Sequence, residues 1–179
     1  MKNKKLWLSL LAVVLIGGFA YFAQGGTLFQ GKLGSSYVTK AEFAYKVYSE
    51  SGLSVPDPAN CEIYEDVPKN EWFSEAICSL TQHGIMGGMP DGTFGLQDSI
   101  NRAEAAKIVH QAFDLSYDCP MTQLFSDLKS DQWYYEYINQ LGAYGFFQHE
   151  TKIGSKFNPG SSLSSASLNR WFASVDKLK

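Results

Sequence analysis

The sequence predicts an all-α protein: helix–loop–helix repeats, one half repeat and two full ones, behind a hydrophobic N-terminal helix. Three observations lead there. Tyr64–Ile85 and Phe125–Phe146 align without a gap at a constant offset of 61 residues, pairing Asp66 with Asp127, Trp72 with Trp133, Leu80 with Leu141 and Gly84 with Gly145. Within the repeats, apolar residues recur at helical spacing between capping residues and glycines. The chain opens with a basic cluster followed by an unbroken apolar run.

That opening, residues 1–23, is the first element. MKNKK is a basic start, and LWLSLLAVVLIGGFAYFA is long enough to cross a bilayer as a helix. Gly18-Phe19-Ala20 offers a small-x-small pattern of the kind cut by signal peptidase. The segment is therefore either a signal peptide or a membrane anchor. In both cases the lysines stay inside and the domain, residues 24–179, is exported.

The half repeat, residues 24–57, ends in a helix. Thr39 caps it and Glu42, three residues on, completes a capping box. A proline-containing linker, VPDPAN, leads into the first full repeat, residues 58–116. Its first helix is expected over about Glu71–His83, capped by Asn70 and stopped by Gly84, with Trp72, Ala76 and Leu80 on one stripe. DGTF follows as a turn, in which Gly92 permits positive φ and Asp91 bonds its own downstream backbone. Phe94 and its counterpart Phe157 are expected to plug the loop into the core. The second helix should run over about Arg102–Phe113, with Asn101 and Glu104 as its capping box and Ala105, Ile108, Val109 and Ala112 as its buried stripe. The last repeat, residues 117–179, is degenerate: beyond the glycine its offset becomes 63, its loop is two residues longer, and Ser167 replaces the capping glutamate.

The ordered set Glu65-Asp66-Val67, Trp72, Ala76-Ile77, Leu80, Gly84-Ile85, Gly88, Asp91-Gly92-Thr93-Phe94 and Ile100 to Glu104 resembles the S-layer homology (SLH) family. The resemblance is fullest in this repeat and looser in the other two. It implies a pseudo-threefold helical bundle. It also implies non-catalytic attachment of an exported protein to an anionic, pyruvylated or otherwise acidic, cell-wall polysaccharide. In that family an arginine and nearby loop residues line the grooves between repeats. The matching arginine is Arg102, with Lys40 in its place in the half repeat and Ser165 in the last, and the loop residues are Asp91, Gly92 and Thr93. Lysine keeps the charge but loses the planar fork suited to a carboxylate, and serine keeps neither. One or two competent grooves are expected, and a dead third. The alternative is an envelope interaction module that has lost sugar binding and packs against a protein partner.

Individual residues carry competing readings. Arginine in a helix's first turn opposes the dipole, which points Arg102 toward a ligand rather than an idle surface pair. Trp72 and Trp133 are expected to pack in the core, with stacking on a sugar as the alternative. Glu42 and Glu104 are capping residues rather than acids. Asp66 and Asp127 are expected to tie down the turn that enters each helix. Of the three cysteines, Cys61 and Cys78 form the near pair, and a disulfide between them would staple the start of the repeat to its helix, leaving Cys119 as a vestige. Three small buried thiols are the alternative.

Composition narrows the function further. With 18 acidic against 15 basic side chains, three of the latter ahead of the hydrophobic segment, the domain lacks the basic face that nucleic acid requires. His83, His110 and His149 share no metal-ligand spacing, and no nucleophile, phosphate cradle or distinctive carboxylate pair is present. No enzyme activity, cofactor or metal is expected.

Overall fold

Each repeat's second helix begins where a polar side chain can satisfy its free amides. In the computed structural model, which describes residues 13–16, 19–22, 36–61, 64–115 and 122–175, α1 (Lys40–Ser51), α3 (Arg102–Ala112) and α5 (Ser165–Val175) all start this way. Thr39 with Glu42 and Asn101 with Glu104 form complete capping boxes. At α5 the Ser164 hydroxyl accepts from the Ser167 amide at 3.1 Å and bonds its hydroxyl at 2.9 Å, so a serine pair replaces the box.

Residues just ahead of these caps bring the three repeats together. Ile100 N donates to Val38 O at 3.1 Å, Leu163 N to Ile100 O at 2.8 Å, and Val38 N to Leu163 O at 2.9 Å. These bonds close a ring of three equivalent residues, all fully buried. The ring gives the helical bundle its pseudo-threefold character.

The first helices of the full repeats are α2 (Ser74–Gln82) and α4 (Tyr135–Ala143). Helix α1 packs on α2 and on α3, and α3 packs on α4. Helix α2 starts three residues later than the sequence predicts, and α4 starts at the equivalent position. Asn70 does not cap α2; Ser74 instead accepts from the Glu71 amide at 3.1 Å and donates to the Pro68 carbonyl. Gly84 and Gly145 follow the two helices with φ of 69° and 82°, as expected of terminating glycines.

The loop between helices is held by an aspartate. Asp66 Oδ1 accepts from Phe94 N at 2.6 Å, and Oδ2 from Gly95 N at 2.9 Å and Leu96 N at 3.4 Å. Asp127 repeats this with Phe157 N and Asn158 N, both at 2.8 Å. The aspartates therefore tie the two halves of a repeat together rather than the helix-entering turn. Gly95 has φ of 79°, and Asn158, at the same place in the last repeat, has φ of 57°. Phe94 and Phe157 are fully buried, as predicted.

Cys61 and Cys78 are disulfide-bonded across a sequence separation of 17. Asn139, the counterpart of Cys78, does the same work by hydrogen bonding: its Oδ1 accepts from Leu124 N and its Nδ2 donates to Tyr135 O, both at 2.8 Å. Cys119 lies outside the described residues.

The chain divides into two compact units, Met1–Ser35 and Ser36–Lys179. In the first, β1 (Val13–Ile16) and β2 (Phe19–Phe22) pair antiparallel, with Ile16 opposite Phe19. These eight residues are not the helix the sequence predicts. Both runs are rich in β-branched or aromatic residues, which favour strands. Among the described residues no helix is long and apolar enough to cross a membrane. The rest of the predicted signal peptide or anchor, residues 1–23, lies outside them.

Candidate functional site

The site is built from four pieces of the chain. Helix α1 supplies Lys40 at its first turn. The backbone Ile85–Pro90, which follows α2, forms one wall. Helix α3 supplies Glu104, Lys107 and Ile108, and Trp133 from the last repeat closes the rim. Together they enclose a groove of about 410 Å³.

The loop can approach Tyr64 and Thr93 closely because Gly88 lacks a side chain. At Gly88 a Cβ would stand 2.2 Å from the Tyr64 ring and 2.6 Å from the Thr93 carbonyl. The loop is pinned by Met89 N donating to Thr93 O at 2.7 Å and by the DGTF turn beyond it. There Asp91 Oδ1 accepts from Thr93 N at 3.0 Å and from its hydroxyl at 2.7 Å. These bonds, with the positive charge of Lys40 as a lesser contributor, hold the Asp91 carboxyl below its ordinary pKa. Gly92 has the positive φ the turn needs, 87°. Asp91, Gly92 and Thr93 thus shape the loop rather than lining the groove.

Lys40 is held at the groove by two weak contacts. Its Nζ donates to the Phe94 carbonyl at 3.4 Å and lies 3.8 Å from the exposed Asp98 carboxylate. With Lys107 it gives the groove two cationic side chains, from two helices, beside an exposed backbone loop and an indole.

The two tryptophans are not in the core. Trp133 is 55% exposed and Trp72 is 44% exposed. Because α2 and α4 begin at Ser74 and Tyr135, both tryptophans precede the helix and miss its buried stripe. Trp133 lines the groove, whereas Trp72 stands apart, edge-on to Tyr45 at 5.1 Å.

Arg102 is neither a groove-facing ligand nor an idle surface residue. It is 8% exposed. Its Nε donates to the Phe157 carbonyl at 2.9 Å, its Nη1 pairs with Glu150, and its Nη2 reaches the Thr151 hydroxyl at 3.4 Å. The guanidinium lies 4.4 Å from the Phe157 ring centroid and 5.5 Å from that of Trp171. Among the described residues no group of His, Cys, Asp and Glu side chains could hold a metal ion.

With this geometry in place, comparison with known proteins adds a family. Residues 63–106 match the S-layer homology domain. The chain carries an SLH domain. The match lies within the first full repeat and includes the groove's loop, Glu104 and the caps of α3. Over 129 residues the chain is 31% identical to "S-layer protein EA1" of Bacillus anthracis, which takes in 72% of this chain and 15% of that protein. It is 30% identical over 129 residues to the "S-layer protein" of Bacillus licheniformis, 72% of this chain and 14% of that one. It is 32% identical over 88 residues to the "Cellulosome-anchoring protein" of Acetivibrio thermocellus, 48% of this chain and 20% of the other. The chain therefore spans a small part of the length of these relatives.

Of the residues named from the sequence, Lys40 and Trp133 line the groove; Lys107 beside them, and Glu150, Arg170 and Trp171 around Arg102, were not among those named. The offset of 63 that aligns Ala103 with Ala166 also aligns Lys107 with Arg170 and Ile108 with Trp171. Extending the repeat one turn further into the helix exposes the pattern.

Proposed function

We propose that the SLH domain holds an exported protein at the cell envelope by binding an anionic wall polysaccharide, without catalysis, in the Lys40 groove. One observation carries this reading: two lysines from different helices converge on one open groove whose rim is an exposed indole. Lysines suit a carboxylate substituent such as a pyruvyl group, the indole suits the apolar face of a sugar ring, and the loop offers backbone donors and acceptors. The names of the relatives, S-layer and cellulosome-anchoring proteins, support the same role.

A second reading has the domain as an interaction module for another envelope protein. It is favoured by the fate of Arg102, the family's cation in the best-matched repeat, which is used for packing. Cosedimentation with purified wall sacculi separates the two. The sugar reading expects binding that disappears when the wall polymers are chemically extracted, and that falls at least tenfold in Lys40→Ala and Lys107→Ala. Binding indifferent to extraction and to both substitutions would leave only the interaction module.

A further inference from the structure

We propose that the space around Arg102 is a second anion site of the same design as the Lys40 groove, kept closed by the chain's own Glu150, which occupies the ligand's place. The inference rests on the anion-binding reading of the Lys40 groove for its ligand class, but its geometry stands on the Arg102 side alone.

The two sites share their parts. Lys40 begins α1 and its Nζ donates to the Phe94 carbonyl; Arg102 begins α3 and its Nε donates to the carbonyl of Phe157, the equivalent of Phe94. The second cation of the open groove is Lys107, and its equivalent is Arg170. The apolar wall of the open groove includes Ile108, and its equivalent is Trp171. The loop wall is Ile85–Pro90 in one, and in the other the loop after Gly145 brings Glu150 and Thr151 to Arg102.

The difference lies in that second loop, which is two residues longer between its glycine and its phenylalanine. It carries Glu150. The carboxylate of Glu150 pairs with Arg102 through Oε1, lies 3.5 Å from Arg170 Nε through Oε2, and accepts from Trp171 Nε1 at 3.2 Å. A carboxylate thus bridges the two cations that correspond to Lys40 and Lys107. It marks where an external carboxylate would sit between those lysines in the open groove.

Closure by Glu150 is competitive, since its carboxylate takes the cations an external anion needs. The Glu150 and Arg102 side chains are only 9% and 10% exposed, so an external ligand must first displace the glutamate. A tethered group acts at an effective concentration in the millimolar range or above. A single weakly held sugar carboxylate competes poorly against it. The chain therefore presents one open anion groove, the Lys40 one, and one that is shut from within.

Side-chain NMR of the full chain reads each site separately. The probe is the pyruvate ketal of a methyl glucoside, added to the wild type and to Glu150→Met, a substitution that removes the carboxylate while keeping an apolar side chain of similar length. In the wild type the Arg102 Nε–H signal should stay fixed at saturating probe. In Glu150→Met it should move in a saturable way. Glu150→Gln, which keeps the volume and an oxygen acceptor for Trp171, serves if the methionine variant does not fold, and should show the same movement. An Arg102 signal that moves in the wild type, or that stays fixed in the folded variants, overturns the proposal. The Lys40 and Lys107 methylene signals report independently on the open groove. If they move while Arg102 in the variants does not, the glycan reading survives and the closed twin site does not. If they stay fixed while Arg102 moves, the twin site stands and the reading of the open groove fails.

Discussion

Asp66 should be worth more to this fold than any other exposed-looking acid in the sequence. Its two oxygens take three backbone amides of a loop whose first residue, Phe94, is fully buried. Two of the bonds are short, 2.6 and 2.9 Å, and the acceptor is charged. Bonds to a charged partner contribute roughly 1.5–3 kcal/mol each, and the third, at 3.4 Å, adds little. Asp66→Ala should therefore lower unfolding stability by about 3 kcal/mol. Asp66→Asn should cost nearly as much, because its amide group turns a donor toward amides that need an acceptor. Burial raises the Asp66 pKa, but the amide bonds to Phe94, Gly95 and Leu96 together outweigh it, so the folded-state value lies below the ordinary one. A depressed folded pKa means stability that is fully present above the unfolded value, about 3.9, and lost as pH falls through the folded one. The gap between wild type and Asp66→Asn should thus be constant from pH 5 to 7 and narrow below about pH 4. Urea unfolding at a series of pH values measures it. A loss under 1 kcal/mol at pH 7, or a gap that does not narrow in acid, would refute this account.

Three further outcomes are expected. Reducing the disulfide, or replacing both its cysteines by alanine, removes a link across a 17-residue separation and should cost about 3 kcal/mol, read by denaturant unfolding with and without reductant. Gly88→Ala drives a Cβ into the Tyr64 ring and the Thr93 carbonyl, so it should cost about 1–3 kcal/mol and shift the groove's loop, seen as amide chemical-shift changes over residues 85–95. Trp133→Ala should change stability by less than about 0.5 kcal/mol, given its exposure, yet weaken glycan binding by about 2- to 10-fold in the sacculus assay.

Features repeated in the chain were the ones most legible in its sequence. The capping residues Thr39, Glu42, Asn101 and Glu104, the terminating glycines and the two plugging phenylalanines all recur at fixed offsets, and each has a local physical job that needs no tertiary knowledge. The Cys61–Cys78 link followed from proximity and an exported context. What misled was position relative to a helix start. Trp72 and Trp133 share a periodicity with the helix that follows them, yet α2 and α4 begin two residues later, and a residue ahead of the helix is not bound to its buried face. Arg102 misled for a different reason. Its burial depends on Glu150, Phe157 and Trp171, about 50 to 70 residues away, none of which is implied by the motif around it.

The three positions Lys40, Arg102 and Ser165 show how one repeated frame can carry three different sites. Each begins the second helix of its repeat, and the amide of each is fixed by a cross-repeat bond, to Asp98 O, Ser161 O and Ser36 O respectively. The fold at these points is held by the backbone, the caps and the ring of Val38, Ile100 and Leu163, none of which uses the side chain at the variable position. The frame therefore does not itself dictate that side chain, although a buried one such as Arg102 adds contacts of its own. A lysine whose carboxylate neighbour, Asp98, is exposed and 3.8 Å away stays open to an external anion. An arginine beside a lengthened loop acquires an internal carboxylate and becomes part of the core. A serine has no charge to offer either. On the proposed reading, anchoring strength in such a domain is set by how many of its equivalent cations stay free of a buried internal carboxylate, a count that the helix-start residue alone does not reveal and that the loop of the following repeat decides.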